Sequence, residues 1–231
     1  MVLLINKPYQ ELRGLELKNV HIIGTGGLAK EVIGYIESEM PKRYKIVGCW
    51  YDEPFNNHDF NSFYSGNIKD FKRNYNPEEV VILTMANNLF RKGYVTDEFS
   101  DLEITYDTYI HPSCEVSKFA RIGEGCVLAP QVIITADAII KDHTFMNTEC
   151  VIGHDTVIES FCCLFPKVEV CGQCYIEENC TFGIGSIVLP GVRMKKNSKL
   201  DAMSVLRETV TKSALFVGNP AEPVKIYDDK L

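Results

Sequence analysis

The chain has 231 residues, 45% of them hydrophobic, and a formal net charge of −7. That is enough apolar material for one large or two small packed domains, while the acidic balance excludes a general nucleic-acid or membrane-surface role, each of which needs clustered Lys and Arg. Val2 to Ile5 are too few apolar residues for a signal-peptide core, and no run approaches ~18 apolar residues, so the expected address is cytoplasmic. An odd count of nine cysteines argues against a disulfide framework, and no zinc site is expected.

In chain order, residues 1–19 form an N-terminal extension without a recognisable pattern. "NVHIIGTGGLAKEVIGYIES" then reads as a strand, a glycine turn and a helix with Leu28, Val32, Ile33 and Ile36 on one face. "YKIVGCWYDEP" is a second strand ending at Asp52, residues 54–67 a polar loop, and "EEVVILTMANN" a third strand, followed by a helix from Leu89 to about Glu98. The turn fits G-x-G-x-x-A as Gly24, Gly26 and Ala29, with Gly27 also in place. Such a turn brings backbone N–H groups to a phosphate at a helix N-terminus; it also serves as a plain strand-to-helix connection. Only about 85 residues separate Val20 from the repeats that follow, half of a dinucleotide fold. A mononucleotide group such as a nucleotide-sugar therefore suits residues 20–103 better than NAD does.

From Ile104 to Leu206, every sixth residue is apolar, 18 positions in all, a run with a chance probability on the order of 10⁻⁶. The residue four after each apolar one is small, and six of the nine cysteines (Cys114, Cys126, Cys150, Cys162, Cys174, Cys180) fall in that phase, where they read as small core residues. This is the hexapeptide pattern of a parallel β-helix of between five and six coils over residues 104–207, with a C-terminal tail at 208–231. The unbroken period predicts no long protruding loop.

His154 and Asp155 are the third and fourth residues of the hexapeptide begun by Ile152, which places them outward at a corner. There a histidine is either a solvated turn residue or a base near neutral pH. His143 reads as a surface corner residue. A zinc-dependent β-helix of the carbonic-anhydrase type uses two histidines five residues apart, a spacing absent among His21, His58, His111, His143 and His154. No metal is expected.

The series Gly24-x-Gly26-Gly27, Asp52, "ANNLFRK", "IHP", "MNTECVIGHD", "FGIGSIVLPGV" and "FVGNPAEP" resembles the bacterial hexapeptide sugar acyltransferases of the sialic-acid O-acetyltransferase type. Within that group it is most similar to acetyl-CoA-dependent N-acetyltransferases of nucleotide-linked 4-amino sugars. The likeness runs about 200 residues, from Val20 to Pro220. It implies an α/β Rossmann-like half-domain followed by an all-β left-handed parallel β-helix, and a homotrimer with active sites between subunits. The motif N-T-x5-H-acid falls on Asn147, Thr148, His154 and Asp155, which implies His154 as general base with Asp155 orienting it. Gly24, Gly26, Gly27, Asp52, Asn88, Arg91 and Asn147 would surround the sugar substrate; Cys163, Gly183, Gly185, Gly218 and Pro220 would lie near coenzyme A. Read by charge alone, "RMKK" at 193–196 with Arg207 and Lys212 either faces the phosphates of coenzyme A or forms solvated corners.

The implied reaction is transfer of acetyl from acetyl-CoA to the amine of a UDP- or dTDP-linked 4-amino-4,6-dideoxy sugar. Two alternatives stay open: O-acetylation of sialic acid or a related sugar, and a trimer that binds nucleotide-sugars without turnover. Many relatives carry a second histidine nine residues after the catalytic one, where this chain has Cys163 in "CCLFPK". That departure leaves room for altered geometry at the acetyl carbonyl, a covalent acyl-Cys163 route or lost activity.

Overall fold

The computed structural model describes residues 7–8, 17–54 and 58–227; most of the extension 1–19 and the last four residues lie outside them. Strand β1 (Lys7–Pro8) lies antiparallel against Arg121–Ile122. The first domain runs β2 (Lys18–Ile23), α1 (Gly27–Glu39), β3 (Tyr44–Trp50), β4 (Tyr64–Gly66), α2 (Ile68–Asn74), β5 (Val80–Leu83), α3 (Asn88–Gly93) and β6 (Thr105–Tyr106). Its five strands are parallel in the order β4-β3-β2-β5-β6. The order reverses between β2 and β5, which opens a crevice beyond their carboxyl ends, the usual ligand position in open α/β sheets.

Two elements arise in and just after the stretch read as a polar loop. β4 spans three residues, too short to leave a periodic signal. Helix α2 is started by the Asn67 side chain, which accepts from the Asp70 N–H at 3.0 Å, and it buries Ile68 and Phe71. At the other boundary, Thr105 and Tyr106 pair with Val80 and Val81, and Ile104 packs into the first domain's core. The apolar phase thus starts one repeat before the coils, whose first strand is Tyr109–Ile110.

The coils form a three-sided prism of two-residue strands, each hydrogen-bonded to the strand 18 residues on. We name the faces by their first strands: face I from Tyr109–Ile110, face II from Glu115–Val116 and face III from Arg121–Ile122. Inward residues such as Ile140, Ile152, Leu164 and Phe182 are fully buried. The third residue after each adopts a left-handed backbone: Gln131, Asp137, His143, Glu149, Asp155, Phe161, Lys167, Gln173 and Asn179 all have φ between 55° and 62°. That conformation costs a non-glycine residue roughly 1–2 kcal/mol and is held by ladder bonds on either side, such as Val151 N–H to Val168 O at 2.9 Å and Gly153 N–H to Val170 O at 2.7 Å. No long loop interrupts the prism. Beyond residue 207, the expected tail adds Ala214–Gly218 to face I beside Lys199–Leu200 and folds back as Ala221–Ile226.

The recurring cysteines do more than fill space. The Sγ atoms of Cys114, Cys126, Cys150, Cys174 and Cys180 each donate to a backbone carbonyl 15 residues on, at 3.1 to 3.2 Å; Thr156 does the same at 2.8 Å. Cys171 and Cys174 stand at C-x-x-C spacing, a redox or metal signal that the count of cysteines passes over. Cys174 is buried in the core and both are free thiols, so the spacing here follows the coil.

The first domain docks on face I. The outward residues Tyr109, Val127, Phe145 and Cys163 are buried against Ala29, Val32, Ile33 and Ile36 of α1. At the edge between faces III and I, Arg91 donates from Nε to His143 O at 2.8 Å, from Nη2 to Cys162 O at 3.0 Å and from Nη1 to Met85 O. Asn88 donates from Nδ2 to Asn179 Oδ1 at 2.7 Å. Lys18 and Tyr44 both reach Asp107, at 2.7 Å.

His143, read as a surface corner, is instead 4% exposed. It stacks on Phe161 at 5.1 Å, meets Tyr106 edge-on and rests on Gly125, where a Cβ would fall 2.3 Å from Nδ1. Burial, helped by the Arg91 charge, holds its pKa down at about 4. Between pH 6.5 and 4 the unfolded chain therefore binds a proton that the folded chain does not. Stability falls as pH drops through that window, by up to about 1.4 kcal/mol per pH unit from this group. Denaturant titrations of wild type and His143→Gln at pH 7, 6 and 5 check this: the wild type loses stability more steeply.

Candidate functional site

The glycine turn between β2 and α1 forms one wall of a crevice of about 430 Å³, closed on other sides by Tyr51, Glu53, Pro54, Thr84 to Asn87 and Phe90. Gly24 has φ +124°, and a Cβ there would sit 2.7 Å from Thr84 Oγ1, so the turn passes close against the residue that follows β5. A Cβ at Gly26 or Gly27 would meet no heavy atom within 4 Å, so these two leave open space at the N-terminus of the 13-residue α1. The local chemistry is a shallow cradle at a positive helix end, suited to phosphate. Asn87 caps α3 by accepting from the N–H groups of Leu89 and Phe90, which holds the exposed Phe90 ring at the crevice rim.

Several expected substrate residues stand elsewhere. Asn88 and Arg91 are 7% and 1% exposed, spent on docking the two domains. Asp52 is exposed at the end of β3, and the neighbouring Glu53 is the acid that lines the crevice; the sequence offers two adjacent acids and no period to choose between them.

On the prism, His154 and Asp155 sit at the corner between faces II and III, with side chains 62% and 55% exposed and His154 Nδ1 2.7 Å from Asp155 Oδ2. The carboxylate thus engages one ring nitrogen, Nδ1, and leaves Nε2 free of it. Asn147, Gly183 and Gly185 share the other edge of face II; Asn147 Oδ1 accepts from the Thr148 N–H at 2.7 Å, and Gly185 has φ +66°. Gly218 and Pro220 lie in the turn of the terminal hairpin, beside a cavity of about 530 Å³ lined also by Arg207 and Lys212.

Cys163 belongs to neither edge. It is 1% exposed in the docked face, with its pKa pushed up to about 12 by burial. A sealed, protonated thiol is no nucleophile and cannot line a coenzyme groove, so both the cofactor contact and the acyl-Cys163 route expected from sequence are withdrawn. Among the described residues no group of three or more His, Cys, Asp or Glu is placed to hold a metal, and no helix is long and apolar enough to cross a membrane.

A left-handed β-helix carrying an α/β domain on one face, with an aspartate-bound histidine at an open corner, is an architecture similar to that of sugar acetyltransferases among the solved structures. Residues 19–97 match the PglD N-terminal domain. GDP-perosamine N-acetyltransferase of Escherichia coli O157:H7 is 28% identical over 85 residues, which is 37% of this chain and 38% of that enzyme's length. Among solved structures, the acetyltransferase domain of PglB from Neisseria gonorrhoeae FA1090 in complex with acetyl coenzyme A is similar with a TM-score of 0.80 at 23% identity, covering 91% of this chain and 100% of that one. PerB from Caulobacter crescentus, in complex with CoA and GDP-perosamine, is similar with a TM-score of 0.75 at 26% identity, covering 91% and 97%.

Proposed function

We propose that the protein transfers acetyl from acetyl-CoA to the amino group of a nucleotide-linked 4-amino-4,6-dideoxy sugar. The observation that carries this reading is the pairing, in one chain, of an open phosphate cradle at Gly26 and Gly27 with an exposed imidazole held by an aspartate through Nδ1. The sequence reading gives UDP or dTDP as the nucleotide; GDP joins them because the similar enzymes carry GDP-perosamine. Both substrates are soluble metabolites of the cytoplasm, the compartment we assign.

The chemistry asks little of the protein. The amine lone pair attacks the thioester carbonyl carbon, a C–N bond forms, and His154 Nε2 takes the amine's proton. Asp155 fixes the tautomer and stabilises the imidazolium. The tetrahedral intermediate then breaks its C–S bond and releases the coenzyme thiolate, which takes a proton.

The two halves of this site lie far apart in one chain. The first domain covers face I, whereas His154 stands at the opposite edge, between faces II and III. A sugar held by one copy's cradle would therefore meet the histidine of the next copy, which favours a homotrimer with sites between prisms. The outward residues Ile133, Val151, Ile187 and Val205 supply apolar contact on face II.

Incubation of the purified protein with acetyl-CoA and UDP-, dTDP- and GDP-linked 4-amino sugars, followed by thiol release and product mass, tests the reaction. Acetylation of at least one amine supports it; sialic acid acetylation alone moves the activity to a hydroxyl, and nucleotide-sugar binding without any transfer leaves a binding protein. Mixing His154→Ala with Gly26→Val, each inactive alone, tests the shared site: co-refolded mixtures should regain activity, and failure to regain any argues for a site within one chain.

A further inference from the structure

We infer that Gly172 is a positioning residue for His154, the bare floor on which the imidazole rests. Gly172 lies one full coil above His154, and a Cβ built on it would fall 2.7 Å from Nε2, 2.9 Å from Cε1 and 3.0 Å from Cδ2. All three nearest atoms belong to that ring. The ring's other side is tied to Asp155 through Nδ1 at 2.7 Å. Tied to a carboxylate and lying in the space that a side chain at residue 172 would fill, the imidazole is seated with Nε2 as the nitrogen Asp155 leaves unengaged.

The backbone does not require glycine at this position. Gly172 is outside the left-handed region that Gly185 and Gly191 occupy, and its coil is bonded normally on both sides, with Gln173 N–H to His154 O at 2.8 Å and Gly191 N–H to Gly172 O at 3.0 Å. A methyl group at residue 172 therefore collides with nothing fixed. The collision is with a side chain that is 62% exposed and free to swing out, so the fold accepts the methyl and the imidazole yields. The same arrangement recurs at the other stacked corner, where His143 lies on Gly125, but there the ring is walled in by Phe161 and Tyr106 and has nowhere to go.

The kinetic consequence rests on His154 acting as base; the structural one does not. In ligand-free protein with ¹⁵N-labelled histidine, the His154 ring, identified by its loss in His154→Ala, is expected to show a single tautomer with the proton on Nδ1. In Gly172→Ala it should show the mixed tautomers of a solvated imidazole. In the assay, Gly172→Ala should lower kcat about a hundredfold, the scale of an ångström's misplacement, with KM for both substrates within about twofold. Any loss of thermal stability in Gly172→Ala should vanish in the double variant with His154→Ala, because the collision partner is gone. Unchanged imidazole signals in Gly172→Ala, or a stability loss that persists in the double variant, overturn the assignment. Should the wild type acetylate no amine, the proposed reaction fails while the imidazole signals still decide the role of Gly172.

Discussion

His154→Ala is expected to fold like the wild type and to turn over about 10²- to 10⁴-fold more slowly, the range over which a positioned base accelerates proton transfer. The side chain is 62% exposed and its recorded hydrogen bond is to Asp155, so its removal leaves no buried group unpaired. KM for acetyl-CoA and for the sugar should change little, because the imidazole acts on a proton that moves only as the new bond forms. Asp155→Asn keeps a polar neighbour but removes the charge that stabilises the imidazolium, and an intermediate loss follows. Steady-state kinetics with the sugar that the wild type acetylates decides the matter; undiminished kcat in His154→Ala would remove the base from this corner and the proposed mechanism with it.

The second large effect is expected at Arg91, and it is one of stability. Its guanidinium is 1% exposed, and its three recorded bonds go to the carbonyls of His143, Cys162 and Met85, two of them on the prism and one on its own domain. Burial lowers the Arg91 pKa from its ordinary value, yet an arginine stays charged in a protein. Charge-assisted bonds contribute roughly 1.5–3 kcal/mol each and do not add simply. Arg91→Met, close in length and able to make none of them, should therefore cost about 3 kcal/mol or more; it takes the Arg91 donor from the buried His143 carbonyl and leaves that of Cys162 with the Phe145 N–H. Arg91→Lys should recover only part, since one ammonium cannot span three acceptors. Denaturant unfolding should show the first domain loosening before the prism. Because α3 also carries Phe90 to the crevice rim, KM for the nucleotide-sugar should rise; equal unfolding midpoints for wild type and Arg91→Met would refute the latch.

The prism could be read directly because its code is local and periodic: one inward residue in six, a small one four later, corners between. What lay beyond the period was harder. Asn88 and Arg91, polar residues on a short helix, look alike whether they face solvent, a ligand or another domain, and the family likeness put them at the substrate. A signal for docking was nevertheless present. At 18-residue spacing the outward residues of face I run Tyr109, Val127, Phe145, Cys163 and then Thr181 and Lys199, apolar for four coils and polar once the first domain ends. That column shows Cys163 as a packing residue, where comparison with a histidine at the same motif position made it a site residue. On face III the corresponding series, Arg121, Ile139, Val157, Tyr175, Arg193, is apolar only in its middle three coils, with an arginine at each end. His154 was legible by its corner phase; the floor beneath its ring was not, because Gly172 touches it through space one coil away.

The cysteine-lined interior also makes this protein convenient to handle. Of nine free thiols, eight are buried and Cys171 alone is partly open, one residue before Gly172 and on the coil that stacks over His154. A thiol-reactive dye used sparingly would thus mark a single position without any cysteine being removed, and that position lies beside the corner where we propose that acetyl transfer takes place. Fluorescence from a natural side chain could then follow substrates arriving and leaving.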